Sequence, residues 1–228
     1  MNYNPYETTM KVAGRDISYT IRSKQGAEWY DPIKPHTQLE YDWVAENIPL
    51  DGQIVIDAGC HQGNYAAMFA AFGATVIGID VHMNNCKMTM DQLGPDHRVI
   101  HRAIWPENDT MLYNGKEHGL ITSLFGRTGG VPVKTIRLQD VVPAPDVVKM
   151  DIENAEHAVL PDCIDEMQNV KWWIIEAHKK PGDPHDIAKL FVTRGYEVLK
   201  VDREQFKVIP YDPSGTWPTH STLIARRK

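Results

Sequence analysis

The sequence predicts an α/β protein: a doubly wound, mainly parallel seven-stranded sheet with helices on both faces and a small N-terminal extension. Two observations carry this prediction. After residue 50, short apolar runs typical of buried strands alternate with segments of helical periodicity. Acidic residues also stand at the ends of several apolar runs, the edge at which such sheets bind ligands. They are Asp57, Asp80, Asp151 and Glu176.

Residues 1–50 are predicted to form the extension, and residues 51–228 the main domain. The stretch "MKVAGRDISYTIRS" alternates like a hairpin that turns at Gly14, Arg15 and Asp16. The stretch "TQLEYDWVAENI" has apolar residues at helical spacing. The extension contains no motif that indicates a function. We expect it to form a lid or an element that helps to shape the acceptor site. We see no signal-peptide pattern at the N-terminus.

The main domain is predicted to contain seven strands and four helices. The strands are "QIVIDAG", "TVIGID", "RVIHRAIW", "DVVKMDIE", "KWWIIEAH", "YEVLKVD" and "STLIARR". The helices are "NYAAMFAAFG", "NNCKMTMDQLG", "NAEHAVLPDCIDEMQ" and "DPHDIAKLFVTRG". Pro161 should interrupt or bend the third helix. Asp183 should cap the start of the fourth, and Gly195 should follow its end. A polar region, residues 106–130, precedes the extended stretch "VPVKTIRLQDVV".

Composition and charge argue against several classes of protein. The net charge of −6 argues against a broad nucleic-acid or anionic-membrane surface. The three cysteines are an odd number without metal-site spacing, which favours reduced thiols in a cytoplasmic protein. The longest charge-free run, around residues 65–79, is too short to span a bilayer.

The loop after the first main-domain strand indicates which ligand is bound. In "DAGCHQGNY", His61 stands where a dinucleotide fingerprint has its second glycine, and its side chain would crowd a pyrophosphate. There is no Walker lysine either. Asp80 follows about twenty residues later, where a strand-end acid typically binds ribose hydroxyls. The loop therefore suits a nucleoside without phosphates, and S-adenosylmethionine fits that description; a plain strand-to-helix turn is the structural alternative.

Several motifs support a family resemblance. The stretch "VIDAGCHQGNYAAMFAAFGATVIGID" resembles the first motif and second strand of class I methyltransferases, which have a Rossmann-like fold. Further along, "VVKMDIENAEHAVL", "WWIIEAH" and "LFVTRGYEVL" resemble the FkbM family within that class. Lys149, Asp151, Glu153 and Glu156 match its first acidic motif, and Glu176 and His178 its second. Asn154 departs from the family pattern, which usually has glycine there.

The resemblance implies methyl transfer from S-adenosylmethionine, usually to a hydroxyl of a small molecule or sugar. His178 is the first choice for the general base, with Asp151 or Glu153 orienting the acceptor. Glu176 and Glu156 complete the candidate catalytic set. A carboxylate cluster with one histidine also suits Mg²⁺ or Mn²⁺, which is the minor alternative. The candidate cofactor-binding residues are Asp57, Gly59, Cys60, His61, Gly63, Asn64, Asp80, Val81, His82, Arg102, Ala103 and Asp151.

Three other functions remain open at this stage. Nucleic-acid methylation is disfavoured, because "MDIEN" stands where an amino-methylating enzyme would have D/N-P-P-Y/F. A methyltransferase-like protein that only binds its ligand is the second alternative. A dinucleotide oxidoreductase is the third, and His61 argues against it. Four aromatic residues are candidates for an acceptor pocket or for plain core packing. They are Trp29, Tyr30, Trp43 and Trp217.

Overall fold

The computed structural model describes residues 4–113, 131–178, 182–215, 217 and 220–228. It confirms the predicted fold class, because the main sheet is mostly parallel and helices flank it. The chain divides into two compact units, Met1–His101 with Arg203–Lys207 and Arg102–Asp202 with Val208–Lys228. Most of the predicted polar region, residues 114–130, lies outside the described part of the chain.

The first unit opens with the predicted hairpin, in which strand β1 (Tyr6–Val12) pairs antiparallel with strand β2 (Arg15–Ile21). Its two-residue turn is Ala13–Gly14, and both residues have positive φ, which is the geometry of a tight hairpin turn. The turn therefore comes earlier than predicted. Helix α1 (Lys24–Tyr30) was not predicted from the sequence.

The rest of the first unit alternates strands and helices. Its elements are α2 (Pro35–Asn47), β3 (Ile54–Ala58), α3 (Asn64–Ala71), β4 (Thr75–Asp80), α4 (Met83–Leu93) and β5 (Arg98–His101). Strands β3, β4 and β5 are parallel neighbours in that order. The central residues of β3 and β4 are buried, and α3 and α4 pack against β4 and against each other. Strand β5 ends at His101, so the predicted continuous strand "RVIHRAIW" is wrong.

The second unit contains the remaining elements. They are β6 (Ala103–Ile104), β7 (Thr110–Tyr113), β8 (Val131–Ile136), a 3-10 helix (Leu138–Asp140), β9 (Val147–Met150), α5 (Glu156–Glu166), β10 (Trp172–His178), α6 (Pro184–Thr193), β11 (Tyr196–Asp202), β12 (Lys207–Pro210) and β13 (His220–Arg227). Strand β9 is parallel to β10, whose other neighbour is the antiparallel β13, followed by β11 and β12. A separate small sheet has the order β6-β8-β7.

Local signals in the second unit were mostly predicted correctly. The Asp183 side chain accepts a hydrogen bond from the His185 N–H, and Gly195, with φ of +83°, follows the end of α6. Helix α5, however, is not interrupted at Pro161, which lies inside it. Burial of its apolar face explains why the helix tolerates the missing N–H donor. Strands β7 and β12 were not predicted.

Candidate active site

The glycine loop, Gly59–Gly63, connects β3 to α3 in the first unit. Alternate residues adopt the left-handed conformation, with φ of +78° at Gly59, +47° at His61 and +85° at Gly63. The N–H groups of Gly59 and Cys60 both donate to the Ile79 carbonyl, at 2.8 and 3.1 Å. The loop is thus anchored on the neighbouring strand β4 while its chain reverses direction.

Gly63 is required at the end of the loop for two reasons. Its positive φ suits glycine, and a Cβ there would lie 3.0 Å from the backbone Cα of Thr89 on α4. Within the described part of the chain no side chain caps the start of α3, so this terminus keeps the partial positive charge of a helix N-terminus. Asn64, its first residue, is only 4% exposed, and its Nδ2 has no hydrogen-bond partner among the described residues. The arrangement suits a polar or anionic group of a ligand.

Asp80, the last residue of β4, ties the glycine loop to the start of α4. Its Oδ2 accepts the His61 N–H at 2.9 Å. Its Oδ1 accepts the His82 N–H at 2.7 Å and an Asn85 Nδ2 hydrogen at 3.1 Å. Asp80 therefore positions the loop in addition to its predicted contact with ribose.

The remaining predicted cofactor-binding residues differ in burial and in hydrogen bonding. Asp57 and Cys60 are buried, and burial raises the pKa of the Cys60 thiol well above its usual value. Ala103 is also buried, in β6, while Arg102 is half-buried. The Val81 carbonyl accepts a hydrogen bond from His101 Nε2 at 2.9 Å.

His101 was missed by sequence reasoning, although it pairs with Asp80 in the parallel register of β4 and β5. The predicted strand continued beyond His101, so the adenine-binding residues were expected at Arg102 and Ala103. The signal that would have found it is the polar residue that ends the apolar run "RVIH".

A second cluster of candidate residues lies in the second unit, where β9 ends. Asp151 follows the last residue of that strand, and the chain then turns through Glu153 and Asn154, with φ of +53° and +78°. Asparagine tolerates this left-handed conformation better than most residues other than glycine. Asn154 therefore adopts a backbone conformation that also suits glycine.

The turn delivers three carboxylates to His178, the last residue of β10. Fully buried Glu156 contacts His178 Nδ1 through its Oε1 at 3.2 Å, and the same oxygen accepts the Ile152 N–H at 2.9 Å. On the other side of the ring, His178 Nε2 lies 3.5 Å from Glu153 Oε2 and 3.9 Å from Asp151 Oδ1. Both ring nitrogens of His178 therefore face carboxylate oxygens.

The pKa values of His178, Glu153 and Asp151 are shifted in this cluster. Burial lowers the pKa of His178, but the hydrogen bond and charge of Glu156, with the charges of Asp151 and Glu153, outweigh it and raise this pKa to about 9. Burial is the main cause that raises the pKa of Glu153 to about 7, against the lowering effect of His178. His178 is thus a cation at neutral pH, and Glu153 titrates there.

The pKa of Asp151 is also raised in this cluster. Burial, followed by the negative charge of Glu176, raises its pKa well above the usual value, and Lys149 opposes the shift. Among the described residues, Asp151, Glu153 and His178 each offer a ligand atom within 4.8 Å of the others. That donor set has the chemistry for Mg²⁺ or Mn²⁺, although the His178 cation already balances part of the negative charge.

The four aromatic candidates have different surroundings. The Tyr30 ring lies beside His61 in the first unit, with ring centroids 5.9 Å apart. Trp43 is half-buried. Trp217 is buried in the second unit against His185 and Tyr211. The side chain of Trp29 lies outside the described part of the chain. Tyr30 therefore contacts the glycine loop through His61.

Comparison with known proteins adds relatives of similar sequence. The chain is 29% identical over 108 residues to a ubiquinone biosynthesis O-methyltransferase of Thiobacillus denitrificans, covering 45% of this chain and 47% of the relative. It is 34% identical over 88 residues to the hexuronic acid methyltransferase AglP of Haloferax volcanii, covering 36% of each. The chain thus spans less than half the length of these relatives.

A solved structure supports the fold. Magnesium protoporphyrin IX methyltransferase (ChlM) from Synechocystis PCC 6803, with bound SAH, is 15% identical at a TM-score of 0.51. The superposition covers 85% of this chain and 83% of that one. No helix in the described ranges is long and apolar enough to cross a membrane.

The family model described as "Methyltransferase FkbM domain" matches residues 57–198, which include the glycine loop, Asp80 and the carboxylate–histidine cluster. The predicted S-adenosylmethionine-dependent class is thereby confirmed at the level of the family. On this match, the chain belongs to the FkbM methyltransferase family.

Proposed function

We propose that the protein transfers the methyl group of S-adenosylmethionine to a hydroxyl oxygen of a small molecule or sugar. One observation carries the proposal: a carboxyl group with a pKa of about 7, Glu153, lies beside a histidine cation held by a buried glutamate. The names of the two relatives, an O-methyltransferase and a hexuronic acid methyltransferase, support the acceptor class.

The glycine loop and the end of β4 are the proposed cofactor site. Asp80 would accept a ribose hydroxyl, and the uncapped start of α3 would bind a polar group of the amino-acid tail. The adenine would lie near Val81 and His82, whose backbone Asp80 and His101 hold in place. This assignment uses groups that are already fixed, so little ordering would be needed on binding.

The proposed reaction is an in-line displacement. A lone pair of the acceptor oxygen forms a bond to the methyl carbon, and the carbon–sulfur bond breaks with its electrons moving to sulfur. The sulfonium becomes the neutral thioether of S-adenosylhomocysteine, and the hydroxyl proton must be removed. Positioning of the two substrates and removal of this proton are the contributions that the protein makes.

Glu153 is the proposed general base. A base works best when its pKa lies near the working pH, and Glu153 meets that condition at about 7. His178 carries its own proton at neutral pH, which argues against the base role predicted for it from the sequence. Its cation instead favours the ionised form of Glu153, and Glu156 holds it in place.

An acceptor screen tests the proposed activity. Purified protein would be incubated with isotope-labelled S-adenosylmethionine and with phenols, uronic acids, neutral sugars, aliphatic alcohols, RNA or DNA, and labelled products would be identified by mass spectrometry and NMR. We expect a methyl ether or another O-methyl product. Labelled methyl found only on nitrogen, or only on nucleic acid, would contradict the proposal.

The dependence of activity on pH separates the two candidate bases. If Glu153 is the base, kcat/KM rises as Glu153 loses its proton through a pKa of about 7 and falls as His178 loses its proton through about 9. If His178 is the base, activity instead rises through about 9 without falling there. Initial rates measured from pH about 5 to 10 show whether the profile of kcat/KM against pH is bell-shaped or only rises.

A further inference from the structure

Helix α1 of the N-terminal extension lies directly against the glycine loop. Gln62 Nε2 donates to Ser23 Oγ at 2.6 Å, and the same Oγ accepts the Gly26 N–H at 2.9 Å as the N-cap of α1. Gln62 is only 4% exposed. The hydroxyl oxygen of Ser23 therefore caps α1 and binds the side chain of Gln62 in the glycine loop at the same time.

Gly26 of α1 lies next to the Gln62 amide of the loop. A Cβ at this position would lie 2.4 Å from Gln62 Oε1 and 2.8 Å from Gln62 Nε2. A glycine inside a helix costs about 0.5–1 kcal/mol relative to alanine. The close contact with the Gln62 amide gives a physical reason for glycine at this position.

The other end of α1 contacts the preceding loop residue. The Tyr30 hydroxyl lies 3.2 Å from His61 Nδ1, and the Tyr30 carbonyl accepts a hydrogen bond from the Tyr19 hydroxyl of strand β2. On the opposite side, the His61 carbonyl accepts the Thr89 hydroxyl at 2.9 Å, and the His61 N–H reaches Asp80. His61 and Gln62 thus contact α1, and His61 also contacts the end of β4 and helix α4.

We infer that α1 is part of the cofactor site and holds the glycine loop in its ligand-binding conformation, with Ser23, Gly26 and Tyr30 as positioning residues. The left-handed backbone of His61 costs a non-glycine residue about 1–2 kcal/mol, so external contacts must hold it. The N-terminal extension then controls affinity for S-adenosylmethionine, in addition to any lid role. This inference rests on the proposed cofactor site in the glycine loop.

The test is a double-mutant cycle read by calorimetric titration with S-adenosylhomocysteine. Gly26→Ala should weaken binding about tenfold in the native background, because the new Cβ displaces Gln62. The same substitution in a Gln62→Ala background should have no further effect, since the displaced side chain is gone. Gly215→Ala is the matched control, because its Cβ would meet its nearest neighbour at an ordinary 3.4 Å.

Tyr30→Phe provides an independent variant that removes only a hydroxyl. We expect binding about two- to tenfold weaker, the loss typical of one hydrogen bond. The KM for S-adenosylmethionine should rise while kcat stays unchanged, and the ¹⁵N shift of His61 Nδ1 should move in NMR spectra. Melting curves establish that each variant is folded at the temperature of titration, so a loss of affinity is not a loss of fold.

The outcomes distinguish this inference from the cofactor site on which it rests. If Gly26→Ala and Tyr30→Phe bind like the native protein while Asp80→Asn is weakened, the inference about α1 is overturned and the cofactor site stands. If Asp80→Asn also binds like the native protein, the proposed cofactor site is overturned. Equal losses from Gly26→Ala in both Gln62 backgrounds would also contradict the role given to that contact.

Discussion

Replacing Glu153 by glutamine should lower kcat about 10²- to 10⁴-fold, the usual contribution of a general base. Glutamine has nearly the same shape but cannot accept the proton that the acceptor hydroxyl loses. Affinity for S-adenosylhomocysteine should change little, because Glu153 is assigned to the acceptor and not to the cofactor. Initial rates with the acceptor found by the screen, together with calorimetry, measure the two quantities.

Asp162→Asn is the matched control for this change, since Asp162 is an exposed carboxylate on the adjoining helix α5. It should leave kcat within about twofold of the native value, as surface substitutions usually do. A Glu153→Gln variant that retained native kcat would show that another group takes the proton. The base assignment would then be wrong.

Replacing Glu156 by glutamine should shift the high-pH limb of the activity profile downward from about 9. The hydrogen bond and charge of Glu156 raise the pKa of His178, so removing the charge lets that pKa fall. When folding raises the pKa of a histidine, its protonation stabilises the folded state at low pH. This stabilisation is lost as the pH rises through the pKa of the folded state. The variant should therefore also be about 1.5–3 kcal/mol less stable at neutral pH, the contribution of a charged hydrogen bond.

Urea unfolding at neutral pH and NMR titration of His178 measure these two effects. Above the His178 pKa, at pH of about 10, native and variant proteins should differ less in stability than at neutral pH. An unchanged His178 pKa in the variant would contradict the account of the cluster. Asp162→Asn again serves as the control, because it is exposed on the same helix.

The glycine loop could be predicted from the sequence because its signals are local. An apolar strand, two glycines in a short turn, an alanine-rich helix and a second strand ending in Asp80 all lie within 28 consecutive residues, 53–80. Each step follows from turn and strand chemistry that neighbouring residues determine. The contact of α1 with the loop was not predictable in this way, since Gly26 and Gln62 are far apart in sequence.

The carboxylate–histidine cluster was predicted in its membership but not in its geometry. Sequence reasoning paired His178 with Glu176, its neighbour on the same strand. The hydrogen-bonded partner is Glu156, another member of the candidate catalytic set, and its side chain is fully buried. Only the parallel pairing of β9 with β10 brings Glu156 to His178, and this pairing joins residues that are distant in sequence.

Asn154 shows how backbone conformation can resolve an apparent departure from a family pattern. The sequence alone left the turn before Glu156 in doubt, because asparagine replaces the usual glycine. With φ of +78°, Asn154 adopts a conformation that both residues can occupy. The conformation of a turn thus depends on which residues tolerate positive φ, and a single sequence does not reveal the φ value itself.

Calorimetric titration with S-adenosylhomocysteine tests the central claim most directly, because it requires no knowledge of the acceptor. We expect micromolar binding by the native protein, about 8 kcal/mol, weakened at least about tenfold in Asp80→Asn. Asp96→Asn, an exposed carboxylate in the same unit, should bind like the native protein. Absence of binding by the native protein, or equal binding by Asp80→Asn, would contradict the cofactor site on which the proposed function depends.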